Sequence, residues 1–351
     1  ELVPGGSSFQ PYRAAMIGMR MGAFDDDTRL KWRLEIEAAT PKDNFGRTSM
    51  ISDFANAALF QTTVLDRKID AFDRVFETKT FGTLQLLFIR NPGGAGSSKQ
   101  VQVSSNIASN FLSAYVAYRR SEHEKARDAW ITFLKWYDDT GQPSFYGSGH
   151  ATFWSATPYL AFSLAKTGKI DEAKRLPRRL SWAGRPPNSR TPIPGMLEEL
   201  MPDYERKLVA GICEAFAGHH AEAQLILRGA QGAMTDNDDQ LVPPEYTFVE
   251  ILDALTRETG DKGYREIGLS FARGFQAAEP WTGWAYAFEA AYSANDERRV
   301  RAAALALKFD PNSAWLSTVD PQLLARAREW LSRNDPFTSR APAEAMKSQK
   351  I

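Results

Sequence analysis

The chain carries a single cysteine, Cys213, so no internal disulfide can form. That fits a reducing compartment without excluding an oxidising one, because many exported proteins also lack disulfides. Histidine is almost as scarce: His123, His150, His219 and His220. None lies in a His-Glu-x-x-His arrangement, and there is no Cys-x-x-Cys. His219 and His220 are adjacent, which points them apart on a helix, so no metal and no cofactor are expected. An excess of one charge is missing too. Lys and Arg number 43 and Asp and Glu number 43, which removes the simplest case for nucleic-acid binding, a net positive field. No stretch approaches the roughly 18 apolar residues that span a bilayer. The first residue is Glu1 rather than methionine. A signal or anchor removed from the N-terminus is compatible with that, and the compartment, bacterial-like cytoplasm or periplasm, stays open.

What is present is mostly helical pattern. Hydrophobic residues at 43% and charged residues at 25% describe a soluble globule, and aromatics at 12% can stock interhelical layers or a binding groove. Residues 1–10 read as a flexible start or a processing remnant. Residues 11–98 read as N-terminal helical hairpins ending in a Gly-rich loop, Asn91-Pro92-Gly93-Gly94-Ala95-Gly96-Ser97-Ser98. That loop lacks the Gly-Lys pair of a phosphate-binding loop, and Asp25-Asp26-Asp27 sits where helix caps belong rather than in a calcium-loop pattern. A helical repeat domain with long connections follows over 99–334, and 335–351 reads as a disordered tail.

Within the repeat region, small residues recur twelve apart across a polar turn: Ala114 and Ala126, Ala161 and Ala173, Gly211 and Ala223. A last hairpin opens with Trp284-Ala285-Tyr286-Ala287, turns at Asn295-Asp296-Glu297 and closes at Asp310-Pro311-Asn312, where proline cannot continue a helix. Between these lies one more hairpin, 244–278. Pro177 falls inside the second helix of its hairpin and predicts a kink or an early end. The closing helix from Pro321 predicts Leu324 and Trp330 inward and Arg326, Arg328 and Arg333 outward. Small residues twelve apart and the Asp-Pro-Asn close resemble tetratricopeptide (TPR) repeats, mostly over 106–313. The resemblance implies an all-α fold of stacked antiparallel helical hairpins, an α-solenoid, with an α/α toroid as the alternative closure.

Such a fold implies a non-catalytic scaffold or adaptor that binds a protein or peptide through a concave helical groove. Trp281, Trp284, Tyr286, Tyr292, Tyr115 and Tyr118 are its candidate anchors, since aromatics dominate such hot spots. Self-association through the repeat surface is a third possibility. The alternative is a polysaccharide-active enzyme, a glycosidase or lyase. Its site would be Trp136, Asp138, Asp139, Tyr146, His150 and Trp154, where aromatics stack on sugar rings and acids or histidine move protons. The simpler reading of Asp138 and Asp139 is that they end a helix. Cys213, among Ile212, Ala215 and Phe216, reads as a small buried hydrophobe.

Overall fold

The computed structural model describes residues 28, 31, 113–139, 149–183, 203–234 and 244–334, with backbone alone at 133–139, 149–156, 178–183 and 244. The expected N-terminal hairpins, the Gly-rich boundary and the C-terminal tail lie outside the described residues. Thr28 and Lys31 are the exceptions, and both are helical; the capping role expected of Asp25–Asp27 lies outside the described residues.

Among the described residues the regular elements are helices, and none is a strand. They are α1 (113–119), α2 (His123–Asp139), α3 (Gly149–Lys166), α4 (Ile170–Ala183), α5 (Asp203–Phe216), α6 (His220–Gln231), α7 (Pro244–Thr259), α8 (Gly263–Ala278), α9 (Gly283–Tyr292), α10 (Asp296–Phe309) and α11 (Pro321–Asn334), with a 3-10 turn at Ala314–Thr318. Successive helices pair into hairpins. The chain divides into two compact units within α8, between Phe271 and Ala272. In the first unit α3 packs on α2, α4, α5 and α7, and α5 packs on α4, α6 and α7. In the second, α9 packs on α10 and the 3-10 turn, and α10 packs on α11. No described helix is long and apolar enough to cross a membrane.

One closing device explains why the hairpins form where they do. Seven residues after each first small residue stands a residue in the left-handed region: Ser121 (φ 59°), Gly168 (φ 80°) and Gly218 (φ 84°). Its N–H donates to the carbonyl three residues back, and the next N–H donates five back. Gly168 reaches Ala165 at 3.1 Å while Lys169 reaches Leu164 at 2.8 Å; Gly218 and His219 do the same to Ala215 and Glu214 at 3.1 and 3.0 Å. This satisfies carbonyls that a helix end leaves open. Five residues later comes the second small residue. Ala114, Ala126, Ala161, Ala173 and Ala223 are all fully buried, so the spacing of twelve marks where the paired helices touch. At Gly211 even alanine is too large: an added Cβ would lie 2.6 Å from Leu227 Cγ on the facing helix.

The fourth hairpin keeps the register but changes the chemistry. Asp253, Gly260 (φ 77°) and Arg265 occupy the same three positions. Arg265 donates to buried Asp253 at 3.2 Å, and Arg257 pairs with the same carboxylate. An ion pair spans the gap that two small side chains close elsewhere.

Two local expectations need correction. The helix bearing Pro177 does not end early but runs on to Ala183, and α3 likewise contains Pro158. A proline removes a single N–H, and buried Ala173 and Leu176 hold α4 on its neighbours. In α11 the inward residues are Leu323 and Ala327, whereas Leu324 and Trp330 are half-buried. The phase is set one residue away because Asp320 accepts from the Gln322 N–H at 2.9 Å, starting the helix at Pro321. In α10, Asn295 Oδ1 caps the helix by accepting from the Arg298 N–H at 2.9 Å, and Ala302, Ala303, Ala304 and Ala306 form the buried face.

Candidate functional site

A dense polar cluster among the described residues of the first unit lies where α7 meets α1 and α3. Glu250, in mid-α7, is 4% exposed. Tyr115 on α1 donates to its two carboxylate oxygens at 3.1 and 3.0 Å, and Tyr159 on α3 donates at 2.8 Å. Arg119, one turn after Tyr115, places Nη1 3.2 Å from Glu250 Oε1 and also donates to the Tyr115 hydroxyl at 3.0 Å. Burial pushes the Glu250 carboxyl above its ordinary range, and Arg119 with the two tyrosines pulls it partly back. Burial, then the Glu250 charge, holds the Tyr115 and Tyr159 phenols well above theirs. Eight residues on, Glu258 pairs with Lys166 of α3 and lies 3.7 Å from His123 Nε2 at the start of α2. Burial lowers the His123 pKa, with Glu258 opposing that shift.

Around these charges the rings pack edge to face. Tyr115 and Tyr159 meet at 5.3 Å, Tyr118 and Tyr159 at 4.9 Å, and Tyr118 and Phe162 at 5.5 Å. Glu250, Arg119 and Tyr159 were not among the residues the sequence singles out. The available signal was the run Tyr246–Leu255, where two acids, Glu250 and Asp253, interrupt an otherwise apolar segment and so demand partners from elsewhere.

The six expected anchors separate by burial. Tyr115 and Tyr118 lie in the cluster just described. Trp284 is 1% exposed, stacked on Phe275 at 5.3 Å and facing Trp315 at 6.2 Å. Tyr286 packs on Phe309 at 6.0 Å and is also buried. Trp281 and Tyr292 are half-buried and reach the surface. Of the expected sugar site, Asp139 is the last residue of α2, and His150 and Trp154 fall in the first turns of α3. The side chains of Trp136, Asp138, Asp139, His150 and Trp154, and Tyr146 altogether, lie outside the described residues.

Three other groups carry ionisable chemistry. Glu214, His219 and Glu222 bring ligand atoms within 4.8 Å of one another at the α5–α6 turn. Lys174 already holds Glu214 Oε1 at 2.9 Å and His219 Nδ1 lies 2.7 Å from Oε2, so that carboxylate is compensated without an ion. Cys213 is fully buried and its thiol is pushed up to about 12 by burial, far from nucleophilic use. Glu205, in the first turn of α5, is 2% exposed, and its Oε2 has no hydrogen-bond partner.

Burial pushes the Glu205 carboxyl up to about 7. In the unfolded chain its value is about 4.3. The folded state therefore binds more protons between those values, and stability is lost as pH rises through about 7. Glu205→Gln removes the charge while keeping the shape. It is expected to stabilise the chain by about 3 kcal/mol near pH 8 and to do little near pH 4, read from urea unfolding at both pH values.

No family model, curated protein or solved structure matches this chain.

Proposed function

We propose that this chain is a non-catalytic scaffold that binds a protein or peptide segment through the faces of TPR-like helical hairpins. The supporting observation is the repeat itself. One hairpin design, with a left-handed closing residue in the same register, recurs at Ser121, Gly168, Gly218 and Gly260. A hairpin of this kind buries one face on its neighbours and offers another for a helix or strand to cover. In the second unit Trp281 and Tyr292 are half-buried, and Tyr292 packs on Phe288, itself against Trp315, which meets Trp284. Rigid aromatics held from behind suit a hot spot, because little side-chain freedom is lost on binding. The balanced charge predicts modest salt dependence over the surface as a whole.

The test is selection from a displayed random-peptide library against the full chain. Peptides sharing a motif should emerge, and Trp281→Ala with Tyr292→Ala should weaken their binding about tenfold or more, which is about 1.4 kcal/mol. No enrichment over an unrelated helical protein would end this reading. A parallel screen of oligosaccharides decides the alternative: turnover abolished by Asp138→Asn would move the assignment to the polysaccharide enzyme.

A further inference from the structure

At Ala161 and Ala173 or Gly211 and Leu227 the facing residues of paired helices are small or apolar. On its side away from the first two hairpins α7 combines apolar contacts, Phe248 on Phe271 at 5.2 Å and on Tyr204 at 6.4 Å, with the Asp253–Arg265 ion pair to α8. Toward α1 and α3 it turns Thr247, Glu250 and Glu258.

The contacts to the two carboxylates across this seam, between α7 and the first two hairpins, have one polarity. Donors and cations stand on the first two hairpins: Tyr115, Arg119, His123, Tyr159 and Lys166. The oxygens stand on α7, and the segments brought together are 88 to 135 residues apart in sequence. The two carboxylates are eight residues apart, about 12 Å along a helix.

The seam is also incompletely satisfied. The Tyr118 hydroxyl is buried without a hydrogen-bond partner, His123 comes only within 3.7 Å of Glu258, and burial raises the Glu250 carboxyl while Arg119 and the two tyrosines oppose it. Apolar residues of similar size would hold two helices together at least as well, since burying charges offsets most of their attraction. Cations and phenols on one side facing two carboxylates on the other describe recognition of an acidic helix more than they describe core packing.

We infer that the face formed by α1 and α3 is an acceptor for a helix bearing two carboxylates eight residues apart, and that α7 fills it here as an internal ligand. The partner that fits is an acidic amphipathic helix able to present the same pair in place of Glu250 and Glu258. This rests on the scaffold reading and gives it a partner chemistry and a built-in competitor. Its affinity is set by the difference between the incoming helix and α7, so weakening the internal carboxylates strengthens the response to an external pair.

The probe is a fluorescein-labelled peptide with the sequence of residues 244–259, titrated by anisotropy into the full chain. Wild type should bind it weakly. The chain carrying Glu258→Gln, a change at the more exposed end of the seam, should bind at least about tenfold tighter, and added salt should weaken that binding. The same peptide with glutamine in place of Glu250 and Glu258 should fail to bind either protein. A peptide that binds neither chain at about 1 mM, or that binds equally without its carboxylates, overturns the inference.

Should Glu258→Gln unfold the chain by circular dichroism, Lys166→Gln provides the second arm. It weakens the internal and the external pairing alike, so the peptide with the natural sequence should bind it no tighter than it binds wild type. Lys166→Glu instead repels the internal Glu258 and should bind the peptide with lysine in place of Glu258 at least about tenfold tighter than wild type does. Equal affinity of that peptide for both chains overturns the inference. Light scattering separates a different occupant: a concentration-dependent dimer that blocks the peptide would assign the face to a second copy and overturn the choice of a foreign partner. If library peptides bind through Trp281 and Tyr292 while this peptide does not, the scaffold reading survives and the acceptor face does not. If neither binds, both fall.

Discussion

Replacing Gly283 with alanine is expected to destabilise the second unit by about 3 kcal/mol, the range of an overpacked core position that cannot relax. Gly283 opens α9 where the chain returns past Asp310, the residue that ends α10. An added Cβ would stand 2.3 Å from Asp310 Cβ, 2.7 Å from its backbone nitrogen and 3.0 Å from its Cα. Two of those three atoms are main chain, so no rotamer change relieves the overlap. Asp310 cannot easily withdraw either. It is buried, its N–H donates to the Ala306 carbonyl at 2.7 Å, and its own carbonyl accepts from Ser313 at 3.2 Å. Gly274→Ala in α8 is the control. Nothing lies within 4 Å of its missing Cβ, so the higher helix propensity of alanine should give a gain of roughly 0.5–1 kcal/mol. Urea unfolding of both variants, followed by tryptophan fluorescence, reads the contrast. Equal behaviour of the two would show that the close approach at Asp310 is not a constraint.

The Asp-Pro-Asn close was legible in sequence on local grounds alone. Proline after Asp310 ends a helix whatever surrounds it, because it lacks the N–H. Ala114/Ala126, Ala161/Ala173 and Gly211/Ala223 were legible because close helix contact admits few side chains. The left-handed residue midway between each pair reinforces the signal, since Gly168 and Gly218 supply a conformation that other residues adopt only at a cost. Ser121 takes the same conformation without being glycine, and so gives no such signal. The fourth hairpin escaped the pattern because Asp253 and Arg265 stand where small residues were sought. A small–small rule is blind to an ion pair that fills the same space.

The candidate site was less legible, and the reason is distance along the chain. Tyr115 and Tyr118 drew attention as aromatics on a first helix, but nothing local tells that Tyr115 meets a carboxylate 135 residues away. Aromatic residues in an alanine-rich helix look alike whether they fill a core or line a groove. Trp284 and Trp281 stand three residues apart and end in different surroundings, one fully packed and one half-buried. Only the neighbouring elements decide which is which. A buried acid carries more information, because a carboxylate in an apolar run must find donors. Glu250 found them on two other hairpins.

That dependence makes Glu250 the second position with a large expected effect. Glu250→Leu leaves the Arg119 guanidinium, 12% exposed at its side chain, without the carboxylate it faces, and deprives two buried phenols of their acceptor. Loss of one partner from a buried pair costs about 3–5 kcal/mol, and the same is expected here. Adding Arg119→Met should recover a substantial part, because the two changes remove the charges together; a coupling on the order of 2 kcal/mol is expected from the double-mutant cycle. Additive losses would mean that Glu250 acts through the tyrosines alone, and Tyr115→Phe with Tyr159→Phe would then reproduce the effect.

The pH dependence supplies an independent check. Burial raises the Glu250 carboxyl above its unfolded value, so its share of stability is complete at low pH and is lost as pH rises through the folded value. Glu205 acts in the same direction, so the comparison belongs in the Glu205→Gln background. There, the remaining fall in stability between about pH 4 and the folded value should flatten when Glu250 and Arg119 are replaced together. A slope that survives the double replacement would place the titrating group elsewhere and leave Glu250 a fully ionised structural anchor, its charge balanced by Arg119 at every pH that keeps the chain folded.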